Sequence, residues 1–154
     1  MKVTDLLARV KWKSVLALIL LIAVIILVVW GFYVLKPFTA NYKSKGDLSA
    51  RFWADPARTD LRGATTVWVE VKNRGSDKLP VTVTMNTYSK SLLFAAGEQN
   101  MSKGVELGPG ESRQLPFSAN MNASYAGTYG LKAVVSSGGE NIEQELFIEA
   151  FEAK

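Results

Sequence analysis

The sequence predicts an all-β antiparallel sandwich of two sheets, preceded by one N-terminal transmembrane α-helix. Two observations lead to this fold class. Positions 14–35 form a run without charge, and the chain after residue 63 alternates apolar and polar side chains between turn-forming residues. An uncharged run of that length spans a bilayer as a helix, whereas alternation marks strands with one buried face. The 154 residues suffice for one such domain and the helix.

The uncharged run is apolar on every side, whereas a core helix would be amphipathic. Val15 to Leu35 covers about 21 residues, or roughly 31 Å as a helix, which matches a bilayer core. A cleaved signal peptide is the alternative, but its apolar region would be only about 7–15 residues long. Ala40 would suit a cleavage site, yet Phe38 is bulky for the position two residues before it. We therefore expect a retained anchor in a lipid bilayer.

The flanks of the run predict its orientation. Four basic residues precede it against the single Asp5, namely Lys2, Arg9, Lys11 and Lys13. The positive-inside tendency then places the N-terminus in the cytoplasm and the C-terminal domain outside it. Trp12, Trp30 and Tyr33 lie at the two ends of the run, where aromatic residues anchor a helix at the membrane interface.

Composition argues against most catalytic chemistry. The chain has no His and no Cys, so a Ser-His-Asp triad, His-ligated haem and the usual zinc sites are not expected. Most of the net charge of +4 lies in the first 13 residues. The folded domain is therefore not expected to present the basic surface that nucleic-acid binding requires. Met85, Met101 and Met121 are interpreted as packing residues and not as Cu(I) ligands. We expect binding without catalysis, with no cofactor, no metal site and no nucleic-acid partner.

Four segments follow from these patterns. Residues 1–13 are a basic cytoplasmic lead, and residues 14–35 are the transmembrane helix. Residues 36–62 are a juxtamembrane connector that contains a first strand around "DLSARFW" and a loop at "ADPARTDLRG". Residues 63–154 are the sandwich, with about seven or eight short strands at roughly ten-residue spacing.

Alternation also predicts which side chains form the core. The residues expected to face inward are apolar and occupy every second position of their strands: Val67, Val69, Val71, Val81, Val83, Met85, Tyr129, Leu131, Ala133, Val135, Ile142, Leu146 and Ile148. Pro80 is expected at a strand start, where its missing N–H removes no ladder hydrogen bond. Glu143, Glu145 and Glu149 are expected to alternate on a solvated outer face, with a calcium site as the minor alternative.

Three motifs follow one another in this domain. They are "VEVKNRG", "LGPGES" and "GTYGLKAVV", in which the matching positions are Val69, Val71, Asn73, Gly75, Leu107, Pro109, Gly110, Glu111, Ser112, Gly127, Tyr129, Leu131, Ala133 and Val135. Over about residues 64–151 the chain resembles CARDB-like and related immunoglobulin-like modules of bacterial and archaeal membrane-anchored surface proteins. The resemblance implies an immunoglobulin-like sandwich that serves adhesion, scaffolding or subunit docking, without catalytic residues. Locally, Asn73 and Gly75 are expected to accommodate a positive φ in a hairpin, and Pro109 and Gly110 a tight turn.

The functional candidates are few. Trp68, Phe147 and Phe151 are predicted to point away from the core, where apolar residues rimmed by charge mark an interface. The alternative is that the neighbouring stretch "RFWADPARTDLR" covers them. Asn100 and Asn122 begin the sequons "NMS" and "NAS" in predicted loops, so both are candidate glycosylation sites.

The sequence therefore favours an accessory or structural subunit of a membrane or cell-envelope complex, whose partners are other protein subunits. A surface adhesion or envelope-anchoring protein is the alternative. A pilin-like filament subunit fits less well, because the first 13 residues contain no convincing processing site.

Overall fold

The computed structural model describes residues 19–26 and 41–153. The chain divides into two compact units, residues 1–39 and residues 40–154. Residues 19–26, which belong to the predicted transmembrane segment, form an α-helix with exposed apolar side chains. In the two described ranges, no helix has both the length and the apolar character that crossing a membrane requires. The rest of the predicted segment, which includes Trp30 and Tyr33, lies outside the described residues, as does Trp12 before it.

The second unit is mostly antiparallel β-structure in two five-stranded sheets. Its strands are β1 (Lys43–Lys45), β2 (Leu48–Asp55), β3 (Arg58–Asp60), β4 (Ala64–Asn73), β5 (Leu79–Thr87), β6 (Leu92–Phe94), β7 (Asn100–Leu107), β8 (Ser112–Met121), β9 (Gly127–Ser137) and β10 (Glu140–Phe151). Sheet I has the order β1-β2-β4-β8-β6, and sheet II has the order β3-β10-β9-β5-β7. A short 3₁₀-helix, Ala95–Gly97, follows β6.

The core lies between the two sheets and is built by alternation along the strands. The predicted inward residues of β4 and β5 are buried, as are Leu131, Ala133 and Val135 of β9. Tyr129 and Leu146 are partly buried and pack against this core. Phe94 of sheet I packs edge-on against Phe117, with ring centroids 6.5 Å apart. The period of two thus places one face of each sheet in an apolar interior and leaves the other for outward side chains.

The connector is more structured than the sequence indicated. The predicted first strand is β2, and it pairs with β4 over its whole length from Leu48 to Asp55. The stretch predicted as a loop contains β3, which pairs in parallel with the end of β10. The parallel pairing joins residues far apart in sequence, so no local pattern in "ADPARTDLRG" indicates it. The described part of this segment, residues 41–62, therefore contributes three strands to the sandwich.

Asn73 has a different role from the predicted one. The stretch after β4 is not a hairpin, because β4 belongs to sheet I and β5 to sheet II. Gly75 does not have a positive φ, whereas Gly110 does at 70°, as the Pro-Gly turn requires. The fully buried Asn73 side chain donates Nδ2–H bonds to the carbonyls of Leu107 and Gly108, and its Oδ1 accepts a 2.8 Å bond from the Gly75 N–H. Two of the recognised sequence motifs thus meet in one hydrogen-bonded cluster.

Candidate functional site

The outer face of sheet I is organised around a carboxylate. Glu70 of β4 points outward in the register Arg51–Glu70–Gln114, yet it is only 8% exposed. Its Oε2 accepts bonds from Arg51 at 2.5 and 2.9 Å and from Gln114 at 3.1 Å, while its Oε1 accepts one from the Tyr42 hydroxyl at 2.5 Å. These donors neutralise and enclose the carboxylate, so it acts as a structural anchor for three strands and for Tyr42.

The pKa values of this cluster follow from its geometry. Burial by itself raises the pKa of Glu70, but the hydrogen bonds from Tyr42, Arg51 and Gln114 outweigh it and hold the pKa below its ordinary value. Burial, together with the hydrogen bond to Glu70, raises the pKa of Tyr42 to about 12. Glu70 is therefore ionised and Tyr42 is protonated across the physiological pH range.

Aromatic rings and a cation continue this face. The Arg51 guanidinium lies 5.1 Å from the ring centroid of Tyr42 and 5.3 Å from that of Trp53. Trp53 stacks on Trp68, its direct cross-strand partner, with centroids 6.2 Å apart and planes 10° from parallel. The predicted interface residue Trp68 thus points outward as expected, but it is half-buried against Trp53. Trp53 belongs to the stretch "RFWADPARTDLR", which was the alternative explanation because it could cover Trp68.

The outer face of sheet II carries the candidate Phe147. Its side chain is 59% exposed, and Tyr88, at 55%, lies beside it over Gly130. A Cβ at Gly130 would stand 2.9 Å from the Tyr88 ring and 3.3 Å from the Phe147 ring, so the missing side chain makes room for both. The Tyr88 N–H donates to the Gly130 carbonyl at 3.1 Å, and its hydroxyl donates to Glu145 Oε1 at 2.7 Å. We call Tyr88, Gly130 and Phe147 the aromatic patch.

Phe151, the third candidate, is half-buried on the same face. The Arg58 guanidinium lies 5.4 Å from its ring centroid and forms a 3.0 Å ion pair with Glu149. Because Arg58 belongs to β3, the parallel pairing of β3 with β10 brings this cover into place. Of the three predicted aromatics, only Phe147 keeps more than half of its side-chain surface exposed.

The two sequon asparagines are both exposed. Asn122 lies in the loop after β8, and its N–H donates to the Ser91 carbonyl at 2.7 Å. Asn100 was expected in a loop but is the first residue of β7, where it pairs with Asn86. The difference arises because β5 supplies a partner strand that the local sequence does not reveal.

Sequence reasoning missed Tyr88, Gly130 and the partners of Glu70. Tyr88 follows the last residue of β5 and Gly130 lies in the middle of β9, and only the pairing of the strands brings both beside Phe147. The one available signal was Glu70 itself, a charged residue in a valine-rich strand. Its place in the alternation indicated that the Glu70 side chain points away from the core, but not that neighbouring side chains bury it.

Comparison with known proteins identifies the fold. No family model and no curated protein matches the chain. Among solved structures, it is similar to a FixG-related protein from Vibrio parahaemolyticus, with 14% identity over 69% of this chain and 98% of that one, at a TM-score of 0.51. It is also similar to the alpha-2-macroglobulin of E. coli, with 15% identity over 68% of this chain and a TM-score of 0.55.

The chain spans only 7% of that macroglobulin, so the similarity concerns one module of a much larger protein. With the two-sheet topology, these similarities indicate an immunoglobulin-like all-β sandwich. Identities this low establish the fold alone, because unrelated functions share it.

Proposed function

We propose that this protein is a non-catalytic single-pass membrane protein, an accessory or structural subunit of a membrane or cell-envelope complex that binds its partners through the sandwich. The single observation that carries the proposal is the aromatic patch. Phe147, on the outer face of β10, and Tyr88, directly after β5, are each more than half exposed, and neither belongs to the core between the sheets. Exposed aromatic residues on a defined surface are typical of protein interfaces.

The sequence supports the membrane part of the proposal. The uncharged run 14–35 is long enough to anchor the chain, and the basic residues before it orient the sandwich outside the cytoplasm. The resemblance to CARDB-like modules of membrane-anchored surface proteins agrees with a binding role.

Gentle detergent extraction of the native membrane tests this function. We expect the chain to resist extraction by carbonate and high salt, and to migrate with other proteins in a stoichiometric complex after mild detergent. Mass and composition analysis of that complex would name the process. Recovery from the membrane as a lone monomer or small homo-oligomer would refute the subunit role and favour the adhesion or envelope-anchoring alternative. Release by carbonate would refute the anchor.

A further inference from the structure

The two outer faces of the sandwich differ in how their aromatic rings are covered. On sheet I, Trp53 and Trp68 stack on each other and Arg51 lies over Trp53, so these rings already have partners. On sheet II, Tyr88 and Phe147 lie over a glycine and face solvent. Burying the exposed area of two aromatic rings is a substantial gain for an interface, since aromatic residues dominate such contacts. Sheet II is therefore the face that gains most from a partner.

Within the aromatic patch, Tyr88 is held by contacts on its own sheet. The main-chain N–H of Tyr88 bonds to the Gly130 carbonyl, and the hydroxyl at the end of its ring bonds to Glu145. Phe147 lies within β10, directly across from Gly130. The Tyr88 ring therefore has less side-chain freedom to lose on binding than a ring without a hydrogen bond, which favours affinity.

The charge around the patch is acidic. Glu143, Glu145 and Glu149 alternate outward along β10, and all three are exposed. Lys132 pairs with Glu143 at 2.6 Å, and Arg58 pairs with Glu149 at 3.0 Å. Among the ion pairs of residues 41–153, none involves Glu145, whose carboxylate accepts the neutral Tyr88 hydroxyl. Glu145 lies between Glu143 and Phe147 along β10, and Lys132, its neighbour across the strands, forms its ion pair with Glu143.

From these contacts we infer that the outer face of sheet II docks a protein surface that presents Arg or Lys side chains beside an apolar spot. A guanidinium or ammonium group gains from the faces of Tyr88 and Phe147 and from the Glu145 carboxylate at once. A second copy of the chain fits poorly, because a two-fold contact here would oppose two glutamate-rich strands. Anionic lipid is disfavoured for the same reason. The inference rests on the proposed function and names the docking face and the chemistry of the partner.

Site-specific photo-cross-linking in native membranes tests the docking face. The photoreactive residue p-benzoylphenylalanine replaces Phe147 in one full-length variant and Trp68 in a control variant. We expect strong cross-links to another protein from position 147, at a segment that peptide mapping shows to contain Arg or Lys, and at least tenfold weaker ones from position 68. Cross-links from 147 to a second copy of this chain, to lipid, or to a segment without basic residues would overturn the assignment. Equal yields from both positions would do so too.

Charge reversal supplies a second readout. Glu145→Lys should reduce recovery of the partner with the full-length chain at least tenfold, and higher salt should weaken the wild-type contact. Glu106→Lys is the matched control, because Glu106 faces outward on the same sheet but lies on the edge strand β7 and pairs with Lys78. We expect it to retain the partner within twofold. Equal losses for the two variants, or none for Glu145→Lys, would contradict the inference.

The outcomes separate this inference from the proposed function. If the wild-type chain is extracted without partners, the subunit role fails and the docking face fails with it. If the wild-type complex is intact, position 147 gives no cross-link to a partner and Glu145→Lys remains in the complex, the subunit role stands and only the assignment of sheet II is wrong.

Discussion

Replacing Glu70 by Gln should destabilise the sandwich by about 2–3 kcal/mol. Arg51 and Glu70 expose only 14% and 11% of their side chains, so the pair is largely withdrawn from water. Breaking a fully buried pair costs about 3–5 kcal/mol, whereas an exposed pair contributes about 0–1 kcal/mol. The substituted amide would keep one acceptor oxygen but turn an N–H₂ group toward the donors of Arg51 or Tyr42. The expected loss therefore lies between these limits.

Urea unfolding of the full-length chain in mild detergent measures this difference. Trp53 and Trp68 lie next to the cluster, so their fluorescence should follow its loss. For a domain of this size the change corresponds to a fall in Tm of roughly 10 °C. Glu106→Gln is the control, because its ion pair with Lys78 is exposed and should contribute less than about 0.5 kcal/mol. A loss below about 1 kcal/mol for Glu70→Gln, the range of an exposed pair, would refute our interpretation of the cluster.

The pH dependence provides an independent check. The pKa of Glu70 is lowered in the folded state, so its ionisation stabilises the fold above its unfolded pKa. That stabilisation is lost as the pH falls through the folded value. The difference in stability between wild type and Glu70→Gln should therefore shrink on acidification below about pH 4.3, the ordinary pKa of Glu. If the difference in unfolding free energy between the two proteins stays constant from neutral pH to below that value, the carboxylate charge is not what stabilises the cluster.

Three further outcomes are expected. Asn73→Asp should cost about 2–4 kcal/mol in urea unfolding, because it removes the Nδ2 donors from buried carbonyls while keeping the shape of the side chain. Gly110→Ala should cost about 1 kcal/mol, because the left-handed φ of 70° strains an L-residue in otherwise open space; an unchanged midpoint would contradict this. Trp68→Ala should lower the Tm while leaving recovery of the partner unchanged, since its ring packs on Trp53; release of the partner without loss of stability would place the interface on sheet I.

The fold could be predicted because it follows from short-range rules. Alternation in "VWVEV" and "VTVTM" places Val67, Val69, Val81 and Val83 in the core, as the structure confirms, since a strand turns successive side chains to opposite faces. The Pro109-Gly110 turn was equally local. The pairing of β3 with β10 was not, because "ARTDLRG" shows turn-forming residues, and its strand partner lies about 90 residues away.

The contacts of the candidate site, like the pairing of β3 with β10, could not be predicted from local sequence. The sequence indicated that Trp68, Phe147 and Phe151 point outward, because successive side chains of a strand alternate between its two faces. Which of them is covered depends on neighbours from other strands, such as Trp53 over Trp68 and Arg58 over Phe151. Tyr88 and Gly130 joined Phe147 only through the order β10-β9-β5 of sheet II.

The sequence by itself determined that the domain is an all-β sandwich, which apolar residues of β4, β5 and β9 enter the core, and the direction in which the residues of those strands point. These properties arise from backbone geometry and the burial of apolar side chains, and both can be read along a single strand. Only the tertiary structure decided that Glu70 is enclosed, that Asn73 joins two turns, and that Phe147 stays exposed beside Tyr88. Those properties depend on contacts between residues from distant parts of the chain. A local sequence pattern does not show which of these residues meet.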